Sequence, residues 1–205
     1  KSVSRYFDRI TRPEQILTSL PQAINVMLDP ADCGPAVISM SQDVQGEAFD
    51  YPEIFFEEKI HQIRRIHPDP NQIQKAADKL KKSKQPIIIS GGGVLYSEAE
   101  EEISAFAKKH NIPVTATVMG IGCMNKDDPY YISAIGCLGE GSSNNLATDT
   151  DLALAVGTKL GDFTTGSWTN FENENFQLVS INTSRFDTTK PVSYTHLTLP
   201  TTHCV

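Results

Sequence analysis

Apolar positions along the chain alternate between two spacings. Between residues 11 and 30, Ile16, Leu17, Leu20, Ile24, Met27 and Leu28 recur at helical intervals. Thr11 can cap this helix, Glu14 stands at capping-box distance, and Pro13 suits a first turn. Pro21 is an internal breaker that should kink it, and Pro30 and Gly34 punctuate its end. "GPAVISM" then reads as a buried strand ending at "SQDV". With no partner strand ahead of it, this helix–strand piece is not a foldable unit and reads as the end of an α/β domain.

From residue 70 onward the alternation is regular. "DPNQIQKAADKLKKSK" is a helix with Pro70 near its first position and Ile73, Ala76, Ala77 and Leu80 on one face. "PIIIS" is a strand. "SEAEEEISAFAKKHN" is a helix, acidic at its start and basic at its end, as the macrodipole favours. "IPVTATV" is a strand, "NNLATDT" closes a helix begun near Gly141, and "DLALAVG" and "FQLVSIN" are strands. Near-continuous apolar strands alternating with helices predict an α/β fold with a doubly wound parallel sheet, Rossmann-type in outline. "MGIGCMNKDDPYYISAIGCLGEG" reads as a long loop, either functional or a connection buttressed by Tyr130, Tyr131 and Ile135.

The two parts are joined by 46–70, a stretch without period, carrying Phe49, Tyr51, Phe55 and Phe56 and two proline turns. It reads as a linker packed by its aromatics. The expected organisation is therefore 1–45 as the end of one α/β domain, 46–70 as linker and 71–190 as a second domain. "PVSYTHLTLPTTHCV" (191–205) has no Asp, Glu, Lys or Arg and no helical period. It resembles the in-frame translation of a library adaptor through Thr201 and is set apart as read-through, so that His196, His203 and Cys204 carry no function. The other reading is a short strand, "VSYTHLTL". The first residue is Lys1, so the native start is expected upstream, and the native protein is expected to continue past Lys190.

Composition narrows the function. The 205 residues carry a formal net charge of −7, which disfavours a nucleic-acid or anionic-membrane partner. No apolar run approaches the roughly 20 residues that span a bilayer. Cys33, Cys123, Cys137 and Cys204 form no CxxC pair and read as reduced cytoplasmic thiols. His61 and His67 lie in the linker, His110 ends a helix, and Glu100, Glu101 and Glu102 form a solvated face. No catalytic grouping and no metal-binding carboxylate motif emerges.

Two stretches hold candidate chemistry. Gly91, Gly92 and Gly93 follow a strand and precede a helix, where backbone amides could meet a phosphate. Gly91 and Gly93 match the start of G-x-G-x-x-G, but Tyr96 occupies the third glycine's place. A tight structural turn remains the other reading. "AVGTKLGDFTTGSW" (155–168) leaves the carboxyl end of a strand, the edge where ligands sit in open α/β sheets. Lys159 and Asp162 offer charge, Thr164, Thr165 and Ser167 offer hydroxyls, and Trp168 offers a flat apolar face. The alternative is an ordered loop whose hydroxyls satisfy its own backbone. The crevice-lining candidates for cofactor binding are Gly91, Gly92, Gly93, Lys159, Asp162 and Thr164.

The order of "GPAVISMSQDVQGEAFDYPEIFF", "RRIHPDP", "PIIISGGGVLYSEA", "AVGTKLGDFTTGSW" and "INTSRFDTTK" resembles the thiamine-diphosphate enzymes across residues 1–190. "QDVQGEAFDYP" and "DFTTGSW" are most similar to their branch that opens a cyclic diketone in inositol catabolism. The resemblance implies three α/β domains: pyrimidine-binding, central and diphosphate-binding. This chain would hold the end of the first and nearly all of the second. It implies thiamine diphosphate and Mg2+ in the intact enzyme, with neither bound by this chain alone. The activating glutamate and the metal motif belong to the flanking domains. The implied chemistry is ylid attack on a ketone, C–C cleavage and release of an open-chain acid from a small cyclic diketone. A cytoplasmic homo-oligomer is implied for the intact protein. On that resemblance Gly91, Gly92 and Gly93 make a structural turn. Ser41 stands where the family usually has Pro, Lys159 where Arg is common, and the loop at 120–122 lacks a customary basic neighbour. The alternatives are an acetolactate-synthase-like relative and a stand-alone nucleotide-binding module.

Overall fold

A computed structural model describes residues 2–63 and 66–189, and the backbone of 202–204. Most of the tail set apart on sequence, including the alternative strand at 192–199, lies outside the described residues, as do Arg64 and Arg65 of "RRIHPDP". The chain divides into two compact units, Lys1–Ile66 and His67–Val205. The aromatic stretch through residue 66 thus clusters with the first unit.

The first unit is a β–α–β element. Strand β1 (Tyr6–Ile10) pairs in parallel with β2 (Ala36–Met40), and α1 (Ile16–Met27) connects them. The helix therefore does have a strand before it, contrary to the sequence expectation. Asp8 and Arg9 interrupt the apolar signal of "YFDRI". The Asp8 carboxylate is held by the Ser19 hydroxyl of α1 and by the Arg9 amide, and these bonds lower its pKa.

The helix start also differs. Pro13–Gln15 forms a 3-10 turn ahead of α1, and the Gln15 Oε1 accepts from the Arg12 and Thr11 amides at 3.0 and 2.6 Å. The reach-back group is Gln15 rather than Glu14. Pro21 sits inside α1, which runs on through it to Met27. A short helix α2 (Gln42–Gln45) follows β2. Beyond it Tyr51 stacks on Phe55 at 5.9 Å and meets Phe49 edge-on at 5.0 Å, and its hydroxyl reaches the Pro13 carbonyl at 3.4 Å.

The second unit opens on α3 (Pro70–Lys82). Asp69 caps it, accepting from the Asn71 and Gln72 amides at 2.7 and 3.2 Å. Ala76 and Leu80 pack on the core, whereas Ile73, expected on the same face, is exposed. Strand β3 (Pro86–Ser90) follows, then α4 (Gly92–Tyr96), α5 (Glu100–His110) and β4 (Val114–Ala116). The acidic helix is thus not the one the glycines open. Glu98, in the left-handed region at φ 53°, separates the two. Asn111 at φ 54° ends α5.

The supposed long loop contains a strand, β5 (Tyr131–Ala134), parallel to β4. Then come α6 (Gly141–Asp149), β6 (Leu152–Val156), β7 (Gln177–Ile181), α7 (Arg185–Thr188) and a three-residue strand, β8 (Thr202–Cys204), beside β7. Three residues of the tail set apart on sequence therefore lie in the sheet.

Among the described residues this sheet runs β5-β4-β3-β6-β7-β8, all parallel. The chain moves outward from β3 in one direction, returns, and moves outward from β6 in the other. Strand alternation splits the core. Ile88, Leu152, Leu154 and Val179 face the side of α5, and Ile87, Ile89, Ala153, Ala155 and Leu178 face Phe171 and Phe176. Both faces are covered, which is why these strands read as unbroken apolar runs.

Asp151 locks the amino edge. Its carboxylate accepts from the Lys84 amide at 2.7 Å, the Gln85 amide at 3.1 Å and the Ser83 hydroxyl. Burial pushes its pKa up, but these donors outweigh burial and hold the carboxyl below the usual range. Its contribution is present above the ordinary carboxylate pKa and is lost as pH falls through the lowered folded value. Asp151→Ala is expected to cost about 1–3 kcal/mol at neutral pH. The gap to the parent protein should narrow below about pH 4 in denaturant titrations.

Candidate functional site

The reversal in strand order puts a crevice position at the carboxyl ends of β3 and β6, the place where open α/β sheets take ligands. The loop bearing Gly91, Gly92 and Gly93 leaves one of these strands and that bearing Gly157, Thr158 and Lys159 leaves the other. Both loops therefore lie at the carboxyl edge of the sheet, where their sequence position put them.

The glycines, however, are turned to protein rather than outward. The Gly91 amide donates to the Val156 carbonyl at 2.9 Å and the Gly93 amide to the Gly157 carbonyl at 2.8 Å. A Cβ on Gly91 would fall 2.4 Å from the Gly157 oxygen, and one on Gly93 would fall 2.6 Å from the Gly157 Cα. Gly157 itself sits at φ +58°. The two loops interlock backbone to backbone, and glycine is required because no side chain fits between them. Two of the three amides that a phosphate would need are already engaged. The helix they open, α4, has only five residues. The loop does not fit a diphosphate.

The remaining candidates divide. Lys159 lies next to this interlock and pairs with Asp187 of α7 at 3.5 Å. Its head is mostly exposed, so the pair contributes little. Asp162 is exposed, and its main-chain carbonyl accepts from the Ser167 amide at 2.9 Å. Thr164 is half-buried, and its amide donates to the Gly161 carbonyl at 3.1 Å. Asp162 and Thr164 belong to a loop anchored toward β5: the Cys137 amide donates to the Phe163 carbonyl at 2.7 Å.

That anchoring is made by Thr165, whose hydroxyl satisfies its own loop's backbone as the alternative sequence reading has it, and by Asn144, which sequence reasoning missed. Thr165 is fully buried. Its hydroxyl donates to the Gly161 carbonyl and accepts from the Trp168 amide, both at 3.1 Å. This holds a left-handed run at Gly166, Ser167 and Trp168, with φ of 58°, 54° and 66°. Asn144 of α6 accepts from the Gly136 amide at 2.9 Å and from the Asn170 side chain at 3.1 Å, and donates to the Gly136 carbonyl at 3.1 Å. The hydroxyl and amide groups here satisfy backbone. The signal available in sequence was the Asn-Asn pair at 144–145, which carries no period of its own.

No group of three metal-ligating side chains occurs among the described residues. Cys33, Cys123 and Cys137 are free thiols, and burial pushes the Cys123 pKa up. Among the described residues no helix is long and apolar enough to cross a membrane.

Residues 73–198, more than half of the chain, match the family model of the thiamine pyrophosphate enzyme central domain. The chain belongs to the thiamine pyrophosphate enzymes. The match runs eight residues into the tail set apart on sequence, from 191 to 198. A relative from Bacillus cereus, 3D-(3,5/4)-trihydroxycyclohexane-1,2-dione hydrolase 1, is 42% identical over 190 residues, covering 93% of this chain and 30% of the relative. The hydrolase of Halalkalibacterium halodurans is 45% identical over 188 residues, covering 92% and 30%. The chain thus spans less than a third of the curated relatives it matches. Benzoylformate decarboxylase from Polynucleobacter necessarius superposes with a TM-score of 0.71 over 97% of this chain and 35% of its own, at 19% identity. That likeness bears on fold alone, and it agrees with the expected doubly wound α/β sheet.

Proposed function

We propose that this chain is the middle of a thiamine-diphosphate-dependent hydrolase that cleaves a C–C bond to open trihydroxycyclohexane-1,2-dione in inositol catabolism. The observation that carries this reading is identity above 40% across more than nine-tenths of the chain to proteins named for that hydrolysis. Residues 1–45 are the end of a pyrimidine-binding domain, 46–70 a linker, 71–190 the central domain and 191–205 a non-native tail. The two-stranded β1–β2 sheet supports the first assignment: Phe7, Val37 and Met40 are exposed on it, as on a piece of a wider sheet. The central domain acts as a spacer, and Gly91, Gly92 and Gly93 close its loops instead of holding a cofactor. Lys159, Asp162 and Thr164 line the carboxyl edge of its sheet. The intact enzyme is a cytoplasmic homo-oligomer using Mg2+.

The test compares the uninterrupted product of the genomic locus with the 205-residue chain, both supplied with thiamine diphosphate, Mg2+ and the cyclic diketone. Ring opening is expected only from the former. Activity of the short chain alone would end the proposal, as would an inactive intact product. Calorimetric titration of the short chain with NAD, FAD and ADP checks the glycine loop separately. Saturable micromolar binding would mean that the interlocked loops open to a nucleotide.

A further inference from the structure

The two sides of the second unit's sheet are finished differently. On one side β5 is four residues long, and its ladder with β4 slips between Val114 and Thr115. A short, irregular outer strand is a poor template for further pairing. On the other side β7 runs in unbroken register with β6 from Gln177 to Ile181. Its sequence, "QLVSI", holds no charged residue and no proline. Leu178 and Val179 are both buried, on opposite faces of the sheet. β7 thus has the make-up of an interior strand and none of the residues that blunt an edge. Its amino end is guarded from α3, where the Lys79 Nζ donates to the Gln177 Oε1 at 2.7 Å.

The Gln177 amide donates to the Asp151 carbonyl at 2.9 Å, and the Gly157 amide to the Ile181 carbonyl at 2.8 Å. Peptide groups alternate in direction along a strand, so those of residues 177, 179 and 181 face β6. Those of Leu178 and Ser180 face away from it. Beside Ser180 lies β8, with Val179 opposite Thr202, Ser180 opposite His203 and Ile181 opposite Cys204. In a parallel ladder of that register the Ser180 amide meets the Thr202 carbonyl, and the Ser180 carbonyl meets the Cys204 amide. Helix α3 flanks the same strand. The seated residues, "THC", lie outside "VSYTHLTL", the stretch whose alternation suggests a strand. Side-chain pattern therefore did not select them.

We infer that the outer edge of β7 is a strand acceptor that holds an extended segment by main-chain pairing at Ser180, whatever its side chains, and that the chain fills it with its own Thr202–Cys204. The partner that fits is a short extended segment running parallel to β7, with an amide available where Cys204 stands. A seat made by one residue's amide and carbonyl is weak. The tether compensates by presenting the segment at an effective concentration of about a millimolar. The segment is accordingly an exchangeable latch, which opens locally and yields to an added peptide of the same extended form. This edge is independent of the enzymatic reading, because a chain without catalytic use would carry it unchanged.

Amide hydrogen exchange reads the latch in the 205-residue chain, with the inner strand β6 as reference. Cys204→Pro removes the amide that bonds Ser180. His203→Pro removes one that points away from β7, where proline is tolerated. Exchange at the Ser180 amide is expected to quicken about tenfold in Cys204→Pro and to stay within about twofold of the parent in His203→Pro. Equal rates in the two variants overturn the inference. Protection of Ser180 that fades on dilution of the parent chain also overturns it, by making the tail of a second copy the occupant. A peptide of alternating threonine and valine, added at about 1 mM to the Cys204→Pro chain, is expected to restore the protection. Its failure to do so overturns recognition through the main chain.

Discussion

Gly136→Ala is expected to be the most damaging single substitution in the second unit, with a loss of about 3–5 kcal/mol. Gly136 sits at φ +99°, a conformation L side chains rarely adopt. A Cβ there would lie 2.0 Å from the Phe163 carbonyl oxygen and 2.8 Å from the Thr164 Cα. Neither neighbour is a flexible side-chain end that could swing aside. Relief requires the whole 161–170 loop to withdraw, which would break the Cys137–Phe163 bond and pull Asn170 from Asn144. Gly141→Ala is the matched control, because a Cβ at that first position of α6 meets nothing. It should be neutral or stabilising by up to about 1 kcal/mol. Equilibrium unfolding in guanidinium reads both. Equal midpoints for the two variants would mean the β5 and β6 loops are not docked as described.

Phe171→Ala is expected to cost about 3–5 kcal/mol. The ring is 1% exposed and stacks on Phe176 at 4.6 Å with planes 22° apart. It fills the space under Ile87, Ile89 and Leu178, so truncation leaves a cavity walled by rigid β-strands. Phe171→Leu retains most of the volume and should recover more than half of the loss. The comparison of the two in thermal melts separates a packing role from a mere connection between β6 and β7. If the alanine variant melted within a degree or two of the parent, the second face of the sheet would not be closed by this ring.

Much of the sheet was legible because doubly covered strands announce themselves. "PIIIS" and "DLALAV" are apolar at nearly every position and "QLVSI" at three of five, and the structure makes them β3, β6 and β7. Strands β1 and β5 were hidden for local reasons. Asp8 and Arg9 break up the first, and the second is four residues set among turn formers. The break between α4 and α5 was also hidden, since Ser97 to Ala99 continue a helix-like composition and only the left-handed Glu98 interrupts it. At the candidate site, sequence placed the glycines at the carboxyl edge of the sheet and left two uses for them open. The close approach that requires glycine there is to the Gly157 backbone, more than sixty residues away in the chain. No local pattern carries that information. Asn144 stayed invisible for the same reason, because its partners Gly136 and Asn170 come from other loops.

The strand order has a consequence for biosynthesis. Within its sheet β3 is made first, and its neighbour β4 follows closely, with Ile88 opposite Val114. Its other neighbour is β6, with Ile88 opposite Leu154, a separation of 66 positions. At about 5–20 residues per second the ribosome takes roughly 3–13 s to deliver that partner. Throughout this interval the isoleucine-rich inner edge of β3 is unpaired on the nascent chain, an inviting template for other nascent strands. Yield of soluble protein should therefore depend on chaperone supply and on translation speed between codons 90 and 156 more than on the thermodynamic stability of the finished sheet.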